Sequence, residues 1–282
     1  MKKLTSIVTH PGQAHRDEFM ACAMLLASHA APIYRRDPTE EDLQDPEIAV
    51  VDCGLRHEPE LANLDHHQFP RGEAVCAFDL AMQWLGYSPE EYRDVFFWAE
   101  FTSRLDATGP ASTADWLGCS DAALARTISP VETSVLRWFQ EHREILPGSP
   151  LHELLVLIGT EKLAYLEMVR ERLRLLGSVA SFEVIEGIPV VDITGIPSSQ
   201  DPILALEEFL RRSGGDYPIT ISRDNRGPGL CLFRRGDDPR VDFSRLEGRE
   251  EIKFAHKGGF VAKTKLPDAN WRELVRAALT WT

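Results

Sequence analysis

Four polar clusters in the first half of the chain have residue types that could hold and activate something. They are His10-x4-His15-x-Asp17, Asp52, Asp65-His66-His67 and Asp106 within Arg104-Leu105-Asp106. Imidazoles and carboxylates without a thiolate form a ligand set suited to Mn²⁺, Fe²⁺, Co²⁺ or Zn²⁺. Three imidazoles (His10, His15, His66) and three carboxylates (Asp17, Asp52, Asp106) exceed what one ion with an open position needs. Six ligands suit two ions sharing a bridging carboxylate, the arrangement that activates water and clamps a phosphoryl group.

Such residues must be brought together by the elements around them. Residues 4–9 form an apolar, β-rich run, His10-Pro11-Gly12 is a turn, and 17–28 has helical spacing with Phe19, Cys22, Ala23 and Leu26 on one face. Ile33–Arg35 and Ile48–Val51 read as strands, the second closing on Asp52. Strand–helix–strand alternation predicts a parallel sheet, whose carboxyl ends form the ligand crevice; His10 and Asp52 would both lie there. Helices are expected at 74–86, 89–104, 120–127, 132–144 and 151–176, the last capped at Gly177. Beyond it, β-branched runs at 182–185, 188–193, 218–222 and 229–233, with helices near 201–212 and 268–280, predict a second, smaller α/β unit. Residues 1–150 carry 12 basic and 24 acidic side chains, whereas 151–282 carry 19 and 20, which supports a division there. The fold class is thus α/β: a parallel-sheet domain over 1–150, then a linker helix and C-terminal domain over 151–282.

The segments Thr9-His10-Pro11-Gly12-Gln13-Ala14-His15-Arg16-Asp17-Glu18, Asp52-Cys53-Gly54 and Asp65-His66-His67-Gln68 resemble the motifs of the DHH phosphoesterase superfamily. The resemblance is closest to its melanocyte proliferating gene branch, where Thr-His-x-Gly-x-x-His-x-Asp-Glu and Asp-His-His-Gln occur in this order. Phe254-Ala255-His256-Lys257-Gly258-Gly259-Phe260 is similar to that branch's late His-x-x-Gly-Phe. The resemblance implies two domains with the active site in the cleft between them, a pair of divalent ions (commonly Mn²⁺), and hydrolysis of a phosphate ester or anhydride. By position, it implies that His10, His15 and Asp52 hold one ion and that Asp17, Asp52, His66 and Asp106 hold the other. Asp65 would orient a ligand imidazole, as metal-bound histidines usually require. His67 would face the substrate phosphate and assist the leaving oxygen, while Arg226, His256 and the Gly258-Gly259 backbone would bind phosphate in the second domain. Relatives in this branch are associated with exonucleolytic cleavage of RNA, so the expected substrate is a short single-stranded oligonucleotide, cut 3′ to 5′, or a small nucleotide. Two departures stand out: superfamily members with an all-carboxylate or His-x-x-x-Asp-x-Asp first motif have aspartate where this chain, like the nearer branch, has His15, and Gly54 is followed by Leu55 where the branch often has a second glycine.

Composition narrows the field. The 282 residues carry a formal charge of −13, which argues against gripping long duplex nucleic acid. No run of about 18 apolar residues predicts a membrane span, and residues 1–10 read as a first strand and not as a signal peptide. Five scattered cysteines fit reduced thiols in the cytoplasm. His57, His142 and His152 read as surface residues, and Trp84, Phe96, Phe97, Trp98 and Phe101 as core packing and not as a base-stacking platform. A homodimer is the commonest oligomer in general, though no interface is evident in the sequence. Two alternatives stand beside the phosphodiesterase: a phosphomonoesterase or phosphoanhydride hydrolase acting on a small metabolite, and a non-catalytic nucleotide-binding regulatory module.

Overall fold

The computed structural model describes residues 3–70 and 72–281. The chain divides into two compact units, Met1–Glu167 and Met168–Thr282, each with its own six-stranded sheet.

In the first unit the elements run β1 (Ser6–Thr9), α1 (Arg16–Leu26), β2 (Ile33–Arg35), α2 (Glu40–Gln44), β3 (Ile48–Val51), β4 (His57–Glu58) and β5 (Asn63–Leu64). Then follow α3 (Ala77–Trp84), α4 (Pro89–Tyr92), α5 (Phe97–Leu117), α6 (Asp121–Ala125), α7 (Pro130–Glu141) and β6 (Glu144–Ile145). Helix α8 (Pro150–Val179) runs across the division between the units. The sheet order is β4-β5-β3-β1-β2-β6. Strands β5, β3, β1 and β2 are mutually parallel, and β4 and β6 are antiparallel edges. As the sequence predicts, the central strands are continuous apolar runs; Ile7, Val8, Ala49, Val50 and Val51 are fully buried. Helix α1 is buried nearly all round, since Phe19 and residues 21–26 are all inaccessible to water, so the predicted single apolar face understates it.

The second unit contains β7 (Ser181–Ile185), β8 (Ile188–Asp192), α9 (Leu206–Ser213), β9 (Ile219–Arg223), β10 (Leu230–Arg234), β11 (Ile252–Ala255), β12 (Val261–Thr264) and α10 (Trp271–Ala278). Its sheet order is β11-β12-β10-β9-β8-β7, antiparallel except for the β8–β9 pair. One face packs Ile219, Ile221, Leu230 and Leu232 against Phe243, Trp271 and Val275; α9 and Leu176 cover Val191 on the other.

Several expectations need correction. The helix expected over 89–104 is two, because the chain breaks after Tyr92 so that Tyr92 and Arg93 both reach the Asp79 carboxylate. Gly177 does not end α8; a glycine costs a helix interior about 1 kcal/mol, too little to stop a helix packed on both sides of it. Strands β11 and β12 are absent from the sequence reading, since Lys253 and Lys263 interrupt their apolar runs. His152 is buried and not at the surface, its Nε2 donating to the Ala31 carbonyl at 3.1 Å. Among the aromatics, Phe96 is buried and stacks on Trp98, whereas Phe97 is exposed.

Candidate metal centre

The order β5-β3-β1 sets three parallel strands side by side with their carboxyl ends on one edge. Neighbouring strands lie about 4.8 Å apart, so residues just past them fall within ligand distance of one another. His10 follows β1, Asp52 follows β3, and Asp65-His66-His67 follow β5.

Each side chain is positioned locally. The His10 ring lies 2.9 Å from the Pro11 carbonyl through Nδ1. A carbonyl only accepts, so Nδ1 carries the hydrogen, and Nε2 faces Asp52 Oδ2 and Glu18 Oε1, each at 3.4 Å. His15 precedes α1, and its backbone N–H donates to both Glu18 oxygens at 2.8 Å, one arm of a capping box. Asp17, on the first turn of α1, is buried and accepts the Ala77 N–H at the start of α3 at 3.3 Å. Asp106 comes from α5, three residues before that helix breaks at Gly109 (φ 82°). It approaches His66 Nε2 at 2.9 Å and His15 Nδ1 at 3.9 Å. His66 Nε2 is also 3.1 Å from Asp52 Oδ1.

These residues fall into three overlapping groups whose ligand atoms lie within 4.8 Å of one another: His10, His15, Glu18 and Asp52; Asp52, His66 and His67; His15, Asp17 and Asp106. Every sequence-derived ligand is therefore brought together, with Asp52 common to two groups and His15 to two. Asp65 behaves differently from expectation. Its carboxylate holds His67, through Nδ1 at 2.7 Å and the backbone N–H at 3.0 Å, so the imidazole it orients is His67 and not one of the expected ligand histidines. Glu18 is the residue that sequence reasoning passed over. It stands inside the quoted motif, but glutamate at this helix position reads as a cap, and only the structure shows it facing His10.

The charges explain why the cluster suits a cation. Asp17 Oδ1, Asp52 Oδ1 and His66 Nε2 are buried and make no hydrogen bond. His66 Nε2 sits close to two carboxylate oxygens without the angle a hydrogen bond requires. Buried polar atoms are nearly always satisfied, so Asp52 Oδ1 and His66 Nε2, 3.1 Å apart and each without a hydrogen bond, fit an ion placed between them. Asp52 and then Glu18 lift His10 to a pKa of about 10 against the effect of burial. Burial opposes charge on His66, yet Asp106 and Asp52 outweigh it and raise its pKa to about 10. Burial likewise opposes charge on Asp52, but His10 and His66 hold its pKa at about 2. Asp17 is pushed well above the usual carboxylate range, by burial first and then by Asp52. Nitrogen and oxygen donors of this kind fit a hard or borderline divalent ion.

The residues singled out in the second unit form a separate local arrangement there. His256 ends β11, its Nδ1 accepts the Gly258 N–H at 2.9 Å, and its carbonyl accepts the Gly259 N–H at 2.8 Å. Gly259 has φ +71°, and a Cβ there would stand 2.2 Å from Asp242 Oδ1, so only glycine fits this turn. The Arg226 side chain is exposed, on the turn between β9 and β10 that Asp224 closes by accepting the Arg226 N–H.

The α/β fold gathers these histidines and aspartates at the edge of a parallel sheet, in the motif order read above. Residues 6–74, which carry every sequence-derived ligand except Asp106, match the family profile MYG1_exonuc, described as "Uncharacterised protein family (UPF0160)". The match is confined to this N-terminal stretch, which is similar to that family. No curated protein matches the chain. A solved structure titled "Member of s1p family of ribosomal proteins PF0399 DHH domain" is similar at 16% identity and a TM-score of 0.30, over 97% of this chain and 85% of that one. That superposition is too loose to transfer positions. No helix among the described residues is long and apolar enough to cross a membrane.

Proposed function

We propose that the chain is a metal-dependent phosphoesterase that hydrolyses phosphodiester bonds in short single-stranded oligonucleotides, acting as a 3′–5′ exonuclease. The observation that carries this reading is the gathering of His10, His15, Asp17, Asp52, His66 and Asp106 into overlapping groups of potential ligand atoms, with Asp52 Oδ1 and His66 Nε2 buried, 3.1 Å apart and without a hydrogen bond. His10, His15 and Asp52 would hold one divalent ion, and Asp17, Asp52, His66 and Asp106 a second, Mn²⁺ being the first candidate. Such a pair activates water for in-line attack and neutralises charge on the phosphoryl oxygens.

The chain's own groups supply the rest. His10 Nδ1–H, donating to Pro11, fixes the ring so that Nε2 is the ligating atom. His67 has half its side chain exposed and its Nδ1 committed to Asp65, so its Nε2 is the atom free to reach substrate. That Nε2 would donate a proton to the leaving oxygen, the role of a general acid. Residues 1–150 thus form the catalytic part and 151–282 the linker helix and substrate-binding part. In the latter, the Arg226 guanidinium and the His256 ring would receive phosphate, while the Gly258 and Gly259 N–H groups, both committed to His256, shape the turn that carries it.

The test is Mn²⁺-dependent release of nitrophenol from bis-p-nitrophenyl phosphate, followed by a ladder assay on end-labelled single-stranded RNA. Asp52→Ala and His66→Ala should abolish both activities. An unchanged rate in either variant would show that the cluster is structural.

A further inference from the structure

Glu18 lies in the middle of the candidate metal centre, yet neither the motif resemblance nor the ligand sets above give it a part there. It is fully buried, and so is the cation beside it: Arg35 Nη2 stands 3.6 Å from Glu18 Oε1, with Arg35 only 1% exposed. Arg35 is immobilised independently of Glu18. Its guanidinium lies 4.6 Å over the Phe139 ring and donates to the Phe139 and Gly12 carbonyls, each at 3.3 Å. Because Gly12 belongs to the turn that follows His10, one buried arginine fixes both the turn and the carboxylate facing it.

We infer that Glu18 is a further ligand of the first ion, joining His10, His15 and Asp52, and that Arg35 is the positioning residue that holds it there. This rests on the metal-dependent reading proposed above. Glu18 Oε1 and Asp52 Oδ2 are each 3.4 Å from His10 Nε2, and all three belong to one group whose ligand atoms lie within 4.8 Å of each other. Ligands about 2.1 Å from an ion stand roughly 3.0 Å apart at right angles and 3.4 Å apart at tetrahedral angles. The observed spacing therefore already suits a shared ion. The His15 ring is itself about half exposed, a looser support for an ion than the buried Glu18.

The alternative is that Glu18 only caps α1, and chemistry separates the two. Glutamine serves the cap at this position as well as glutamate does, so Glu18→Gln keeps the hydrogen bond from the His15 N–H and removes the anionic ligand. Glu18→Asp keeps the charge and withdraws it by one methylene. Mn²⁺ binding to the full chain, stripped by chelator and followed by calorimetry and elemental analysis, is the first readout. The visible absorption of the Co²⁺-loaded protein is the second. Both variants should still fold when metal-free, Glu18→Gln at a lower melting temperature because buried Arg35 loses its anion, and both should lose at least tenfold in affinity at one of two sites, with a changed Co²⁺ spectrum. Two sites of wild-type affinity and an unchanged spectrum in Glu18→Gln would reduce Glu18 to a cap. Weaker binding in Glu18→Gln but not in Glu18→Asp, again with an unchanged spectrum, would make it a through-space charge and overturn the ligand assignment. Wild-type protein that binds no ion would overturn the phosphoesterase reading together with this one, whereas two ions in wild type and two unaltered in the variants would overturn only the role of Glu18.

Discussion

Loading the centre with a divalent ion should release protons, and the number follows from the geometry. In the metal-free chain His10 and His66 are both held cationic at neutral pH. Asp52 and Glu18 lift His10, and Asp106 and Asp52 lift His66 against burial, each to a pKa of about 10. An imidazole must give up its Nε2 proton before that nitrogen can ligate. At pH 7, three units below those values, each deprotonation costs about 4 kcal/mol, which is subtracted from the affinity of the ion. Apparent affinity should therefore rise about tenfold per pH unit for each imidazole, up to about 100-fold per unit for both, and level off near pH 10. Calorimetric titration with Mn²⁺ in two buffers of different ionisation enthalpy counts the protons directly, and about two should leave on full loading at pH 7. The linkage has a second consequence. Both folded-state values lie above the ordinary 6.5, so the stability these histidines contribute is complete below about pH 6.5 and is lost as pH rises through about 10. The metal-free chain should thus melt at lower temperature at pH 9 than at pH 7, while the loaded chain should not. Equal affinity at pH 7 and pH 9, with no proton released, would refute the assignment of His10 and His66 as ligands.

Three further outcomes are expected. Asp79→Ala should cost about 2–4 kcal/mol in urea denaturation, because the buried carboxylate serves the buried Tyr92 Oη and Ser103 Oγ and the partly exposed Arg93 together, and its loss leaves buried donors unpaired. Gly54→Ala should cost about 1–3 kcal/mol by the same measurement, since φ there is +94° and the new Cβ would lie 2.9 Å from Leu43 Cδ2. His67→Ala should keep its metal content by elemental analysis while kcat falls by about 10²–10⁴, the usual loss on removing a general acid; a parallel loss of metal would make His67 a ligand.

How much of this was legible in the sequence depended on what each residue's neighbours announce. His10 and Asp52 each follow a short β-branched run, and parallel sheets expose such positions at one edge, so their convergence could be foreseen. Asp106 could not be anchored that way. It sits inside a helix, and what brings it to His66 is the tie from Ser103 on α5 to Asp79 on α3, a contact spanning 24 residues that no local pattern encodes. Glu18 was masked by its own second role, because a glutamate three residues past a helix start is explained by capping alone. The pairing of Asp65 with His67 was invisible for a similar reason: adjacency in sequence does not say which of two neighbouring imidazoles a carboxylate will face. In the second unit, β11 and β12 were missed because Lys253 and Lys263 broke the apolar pattern. Lys263 is in fact tethered to the buried Asp224.

The loop after β3 shows how backbone strain and chemistry are linked in this centre. Asp52, Gly54 and Leu55 all have positive φ, at 59°, 94° and 55°. Glycine tolerates this freely and aspartate tolerably, but for leucine it is a genuine cost, on the order of 1–3 kcal/mol. The sharp reversal lets the Asp52 carboxylate turn back toward His10 and His66 and not continue along the strand. It also aims the Leu55 N–H at Asp65 Oδ2, 2.7 Å away, leaving Oδ1 for His67. The two ends of the loop are pinned to β5, the Asp52 N–H by the Leu64 carbonyl and the Arg56 carbonyl by the Asp65 N–H. One strained turn therefore sets both the carboxylate of Asp52, shared between two groups of candidate ligands, and the partner of His67. This accounts for the leucine at position 55, where the branch often has a second glycine. The hydrogen bond from its N–H needs the left-handed conformation but not the missing side chain, and Leu55 is free to point into solvent, where it is 69% exposed.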